Sequence, residues 1–158
     1  MELRAGYKET EIGMIPKVWA EKTMKDICWV NQGLQIPIEK RKLRPSKKSK
    51  IYITIQYLNG GKVIEYIEDY TLSVCCSAED ILMTRTGNTG IVISNVEGVF
   101  HNNFFKINYD RVKIDKTFFL YFLKNTKTQK AILDKAGTST IPDLNHNDFY
   151  SIKIPLPP

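Results

Sequence analysis

Asp80–Gly90 reads DILMTRTGNTG, in which two glycines, three threonines and one arginine follow a short apolar run. Hydroxyls and glycine amides at this density suit a phosphate cradle or a catalytic loop. The spacing argues against the nucleotide-binding versions. A phosphate loop needs G-x-x-x-x-G-K followed by Ser or Thr, and a dinucleotide turn needs G-x-G-x-x-G opening a helix. Here Gly87 and Gly90 lead into the β-rich IVISNV, so no helix N-terminus follows to hold a phosphate charge.

Other reactive constellations are also incomplete. Cys28, Cys75 and Cys76 are odd in number with two adjacent, which gives neither a metal-ligand pattern nor a disulfide framework and fits a reducing cytoplasm. His101 and His146 are isolated and read as surface or hydrogen-bonded residues. Pro142-Asp143 could open a metal-dependent nuclease motif, yet no Asp/Glu-x-Lys follows anywhere. The Asn/Asp-Pro-Pro-aromatic loop with which methyltransferases grip a flipped base is missing, and PLPP at the end has only its prolines. Hydrolase nucleophile motifs are absent as well. The chain is expected to do no chemistry itself and to bind neither metal nor cofactor.

Binding is the better-supported role. The 158 residues carry a formal charge of +6, and seven of the 23 basic residues lie in KRKLRPSKKSK, Lys40 to Lys50. The other 16 nearly match the 17 acidic residues, so the excess is local. Lys40, Arg41, Lys42, Arg44, Lys47, Lys48 and Lys50 can neutralise phosphates and release counterions. A solvated loop that only aids solubility is the plainer alternative. Two arginine forks and the stiffening Pro45 favour nucleic acid.

The elements that must position these residues read as mostly β first and helical later. With 42% hydrophobic and 25% charged residues, the composition suits one globular domain over residues 1–158. No apolar run approaches the roughly 20 residues of a membrane span, and MELRAGYKETEIG lacks a signal-peptide core. IYITIQYL, KVIEYI, YTLSVCC, the hairpin ILMTR/IVISNV with Gly87 to Gly90 at its tip, NFFKINYD and YSIKIPLP are predicted strands. Asp115 is predicted to cap a helix through the Phe-rich segment, NTKT to break it in two, and Gly137 to end it. TSTIPDLNHNDF reads as a polar loop, and Trp19 and Trp29 as core anchors. The fold class is α+β.

GMIPKVW (13–19), DILMTRTGNTG (80–90) and AGTSTIPDLNHNDFYSIKIPLPP (136–158) occur in an order and spacing that resembles the target recognition domain of type I restriction-modification specificity subunits. The resemblance covers nearly the whole chain. It implies an α+β fold similar to the specificity domain of adenine-N6 methyltransferases, with each domain reading half of a split duplex DNA target. It further implies methylation subunits that bind S-adenosylmethionine, restriction subunits, and long spacer helices between two recognition domains. This sequence ends at IPLPP, where that helix would begin, so it looks like one recognition domain or a half subunit that could dimerise.

If the chain reads DNA as the resemblance implies, physical chemistry suggests work for individual residues. Thr84, Arg85, Thr86, Asn88 and Thr89 would approach the DNA backbone from the hairpin tip; alternatively the tip is a plain turn with Arg85 paired to a carboxylate. Arg41, Arg44, Gln35 and Asn59 are the candidate base readers, since Arg suits guanine and Asn or Gln suits adenine, and the five lysines of the basic run suit phosphates. Thr138, Ser139, Thr140 and Asn145 could add hydroxyl and amide contacts, unless that loop only packs the last strand through Ile141 and Leu144. Two other roles stay open: the recognition lobe of a fused methyltransferase-nuclease, and a basic module that binds an acidic protein.

Overall fold

The computed structural model describes residues 5–158, so the first four residues of the polar amino-terminal stretch lie outside it. In chain order come β1 (Tyr7–Thr10), β2 (Gly13–Pro16), β3 (Ala20–Thr23), α1 (Met24–Ile27), β4 (Cys28–Gln32), β5 (Lys50–Ile53), α2 (Ile55–Leu58), β6 (Tyr66–Ile67), β7 (Cys75–Cys76) and β8 (Ile81–Thr84). They are followed by β9 (Val92–Ile93), β10 (Gly98–Phe100), β11 (Phe104–Tyr109), α3 (Lys116–Lys124), α4 (Thr126–Ala136), α5 (His146–Tyr150) and β12 (Lys153–Leu156). The architecture is α+β, with strands dominating the first two thirds and the longer helices in the last.

The central sheet is antiparallel, in the order β4-β11-β8-β9. Its inner strand β8 is covered on both faces, which is why it is apolar without alternation. Ile81 and Met83 of β8 join Phe105 and Ile107 of β11 in a core closed by Phe119, Ile132 and Phe149 from α3, α4 and α5. Leu82 and Phe104 point the other way and meet Ile53 and Phe100 of a second sheet. That mixed sheet runs β6-β5-β10-β7, with β10 parallel to β5 and antiparallel to β7. A third pairing, β12 with β3, brings the last strand back to the first third of the chain.

Helix boundaries follow the local chemistry. Asp115 caps α3 by accepting from the Phe118 N–H at 2.8 Å. Asn125 both ends α3 and caps α4, its side chain accepting from the Lys127 N–H at 2.9 Å. Gly137 ends α4 at φ +88°, in the left-handed region where glycine has no Cβ penalty.

Several strand predictions are corrected. IYITIQYL divides at Thr54, whose hydroxyl accepts from the Tyr57 N–H at 3.1 Å and starts α2, so an N-cap overrides β propensity. KVIEYI contributes only Tyr66–Ile67, and YTLSVCC begins with a 3-10 turn, Leu72–Val74, before β7. The predicted loop 138–149 gives way to α5 at His146, which runs on through Tyr150 into the segment expected as strand. Trp29 is 59% exposed because Cys28 and Val30 take the inward positions of β4, whereas Trp19 packs edge-on against Phe118 at 6.3 Å.

Candidate nucleic-acid interface

The basic run is tied down along its length. After a 3-10 turn at Ile38–Lys40, Lys42 exchanges two backbone hydrogen bonds with Tyr66, at 2.9 and 2.8 Å. Ser46 and Ser49 close a turn, the Ser46 N–H donating to the Ser49 hydroxyl at 2.8 Å, and the Tyr70 hydroxyl donates to the Lys48 carbonyl at 3.0 Å. A segment anchored in this way can present charges in a fixed arrangement.

Its seven cations fall into two groups. Arg41 pairs with Glu65 at 3.2 Å, donates from Nε to the Ile36 carbonyl at 2.9 Å, and lies over the Tyr52 ring at 5.2 Å. Lys42 pairs with Glu68, and Lys50 stands 4.0 Å from Glu97. Lys40, Arg44, Lys47 and Lys48 are exposed and have no ion-pair partner among the described residues. These four are the charges left for an external polyanion.

Hairpin β8-β9 holds the glycine turn, but its side chains largely face inward. The Thr84 hydroxyl donates to the Asn88 carbonyl and accepts from the Ile91 N–H, and the Thr89 hydroxyl lies 3.1 Å from the Arg85 carbonyl and 2.9 Å from that of Pro142. Both threonines are buried. Both hydroxyls are therefore occupied by backbone partners within the protein in this geometry.

Arg85 also turns toward the protein. It pairs with Asp143 at 2.9 Å, donates from Nε to the Leu144 carbonyl at 3.3 Å, and lies over the Phe105 ring at 5.4 Å. The Thr86 hydroxyl donates to the same carboxylate, and Leu144 N–H donates to the Arg85 carbonyl at 2.8 Å. Residues 85–89 and 142–144 are thus latched into one unit. Asp143 is a member of this unit that its place after a proline did not reveal.

Because Arg85 is only 15% exposed while Asp143 is half exposed, solvent screening moderates the pair. Asp143→Ala is expected to destabilise the fold by about 1–2 kcal/mol by leaving the guanidinium and the Thr86 hydroxyl unmatched. A urea midpoint shifted down at constant m-value would show it; an unchanged midpoint would mean that the latch contributes nothing.

The remaining candidates are spread around this unit. Asn88 stands exposed at the tip, Thr138 and Thr140 are exposed beyond α4, and Ser139 donates to the Ile141 carbonyl at 2.8 Å. Asn145 caps α5, accepting from the Asp148 N–H at 2.9 Å, while Leu144 is buried. Asn59 closes α2 and is exposed, as is Gln35. Sequence reasoning missed a small polar hollow lined by Arg41, Thr54, Gln56, His101 and Asn103. The residue types of IYITIQYL predict a strand through Gln56, which conceals its place in α2.

Titration chemistry is quiet here. Burial, aided by the nearby Arg41 charge, pushes the His101 pKa down, so the ring is neutral at pH 7. Burial raises the thiols of Cys28 to about 12 and Cys76 to about 11, which keeps both protonated. Among the described residues no cluster of His, Cys, Asp or Glu could hold a metal, and no helix is long and apolar enough to cross a membrane. A separate groove of about 710 Å³ has Trp19, Phe118, Tyr121 and Phe122 in its walls, with Lys127, Lys135 and Lys153 also lining it.

Comparison with known proteins identifies the family and the fold. Residues 16–158 match the family model "Type I restriction modification DNA specificity domain". The MjaIX specificity subunit of Methanocaldococcus jannaschii is 30% identical over 96% of this chain, and the putative MjaX specificity subunit of the same organism is 29% identical over 96%. The chain spans 37% and 39% of those relatives. In solved structures the fold is similar to the S subunit from M. genitalium, with a TM-score of 0.65 at 18% identity over 99% of this chain and 36% of that one. It is also similar to the HsdS subunit from Thermoanaerobacter tengcongensis, with a TM-score of 0.70 at 13% identity over 97% and 36%. The α+β fold, the glycine hairpin and the last strand thus sit within a matched family, and the chain belongs to the type I restriction modification DNA specificity domain family.

Proposed function

We propose that this chain is one target recognition domain, which reads one half of a bipartite duplex DNA sequence and thereby aims the methylation and restriction subunits of a type I system. The observation that carries this reading is the set of four unpaired cations, Lys40, Arg44, Lys47 and Lys48, on a segment fixed to the second sheet. They supply encounter, affinity and register, while a few side chains discriminate bases. Methylation of adenine then belongs to the partner subunit, which brings S-adenosylmethionine and takes the target base out of the stack. The chain itself performs no catalysis in this scheme and works in the cytoplasm. A split target needs two such domains, so the second comes from the same polypeptide or from a second copy.

Selection from duplexes with a randomised centre at low salt, followed by sequencing of the bound fraction, tests the reading. Enrichment of a short motif supports it. Equal retention by heparin and by every duplex would instead favour a basic module for acidic partners.

A further inference from the structure

The polar hollow of about 260 Å³ is smaller than the roughly 300–1,000 Å³ of ordinary small-molecule sites. It lies between the two segments already described. Arg41, in its wall, belongs to the basic run. Asn103, also in its wall, accepts the Arg85 N–H on its carbonyl at 2.7 Å and so is joined to the glycine hairpin. Ile55 lines it too, and its Cδ1 lies 3.9 Å from where a Cβ on Gly87 would stand.

The lining chemistry is unlike that of the basic run. Its one cation, Arg41, is matched by Glu65. His101 accepts the Asn103 N–H on Nδ1 at 3.1 Å, so the neutral ring carries its proton on Nε2 and is a donor there. The side-chain amides of Gln56 and Asn103 make no hydrogen bond to any described residue. Each therefore keeps a donor and an acceptor for an outside ligand. Neutral groups that offer donors and acceptors together match the edge of a base, whereas a phosphate offers acceptors only.

On the strength of the DNA-reading function above, we propose that this hollow is a base-reading subsite, in which Gln56 and Asn103 are specificity-determining residues that favour adenine. A carboxamide can donate to adenine N7 while accepting from its N6 amino group, a bidentate match that other bases do not offer in the major groove.

The test repeats the randomised-duplex selection with the parent chain, Gln56→Ala, Asn103→Ala and Gln56→Glu, and measures the salt dependence of each on the parent's selected site. Each alanine variant is expected to lose the preference at an adenine position and to bind the selected duplex about 5- to 150-fold more weakly, the range of one bidentate contact. The slope of log K against log salt stays that of the parent, because no phosphate contact is removed. Gln56→Glu is expected to move that position toward cytosine, whose N4 amino group donates to a carboxylate. Thermal melts should coincide, since neither amide bonds to the described protein. An unchanged motif in all three variants overturns the subsite, as does weakening that is uniform over sequences with a shallower salt slope. A parent chain that enriches no motif overturns the DNA-reading function itself, and the subsite with it.

Discussion

Alanine at Lys40, Arg44, Lys47 and Lys48 together is expected to reduce the slope of log K against log salt by about 3 to 4, at roughly 0.9 per neutralised phosphate. Between 50 and 200 mM salt the parent should therefore lose about two orders of magnitude more affinity than the variant. The four side chains are exposed and unpaired among the described residues, so little folding stability should be lost with them. Lys42→Ala provides the contrast. Glu68 already faces that ammonium, and its carboxyl pKa is held down first by the hydrogen bond from Lys42. Removing Lys42 should change the slope by much less than one phosphate's share. Filter binding or fluorescence anisotropy across a salt series reads both. Equal slopes for the fourfold variant and the parent would remove these cations from the DNA surface.

The largest stability loss is expected from Phe105→Ala. Phe105 is fully buried on β11, with its ring 5.8 Å from Phe149 and 4.8 Å from His146. The Arg85 guanidinium lies over the same ring, 5.4 Å from its centroid. Truncation leaves a cavity where the central sheet, α5 and the latch converge, and such changes cost about 3–5 kcal/mol. That is a large part of the 5–15 kcal/mol by which domains of this kind are stable. Chemical denaturation followed by circular dichroism should show the midpoint fall steeply, or the chain fail to fold. A loss below about 1 kcal/mol would mean that the surrounding side chains collapse into the gap far more readily than their burial suggests.

The legible parts of this fold were those written in local chemistry. Asp115, Asn125 and Gly137 each act within a few residues of themselves, so their caps could be read along the chain. The hairpin β8-β9 was equally plain from its glycines. What escaped were choices made across long separations. Trp29 resembles an anchor by type, yet pairing with β11 assigns the inward positions to its neighbours. Gln56 is the local exception: a run of β-branched and aromatic residues masks the cap that Thr54 makes with the Tyr57 N–H three residues on.

The site shows the same division. Charge density alone marked Lys40 to Lys50, but only the fold separates the four open cations from Arg41 and Lys42, whose carboxylates arrive from residues 65 and 68. Likewise, Arg85 and Asp143 are 58 residues apart in sequence, and nothing in either motif announces the other.

That long-range latch constrains how such domains can exchange parts. A chimera that imported only the hairpin tip from a relative would set a foreign turn against the resident Asp143 and Leu144, and would lose the carboxylate, carbonyl and amide contacts that hold Arg85 and Thr86. Productive crossovers should fall outside both loops, so that the tip and its distant counterpart are inherited together and new sequence preferences arise by trading whole recognition units instead of single turns.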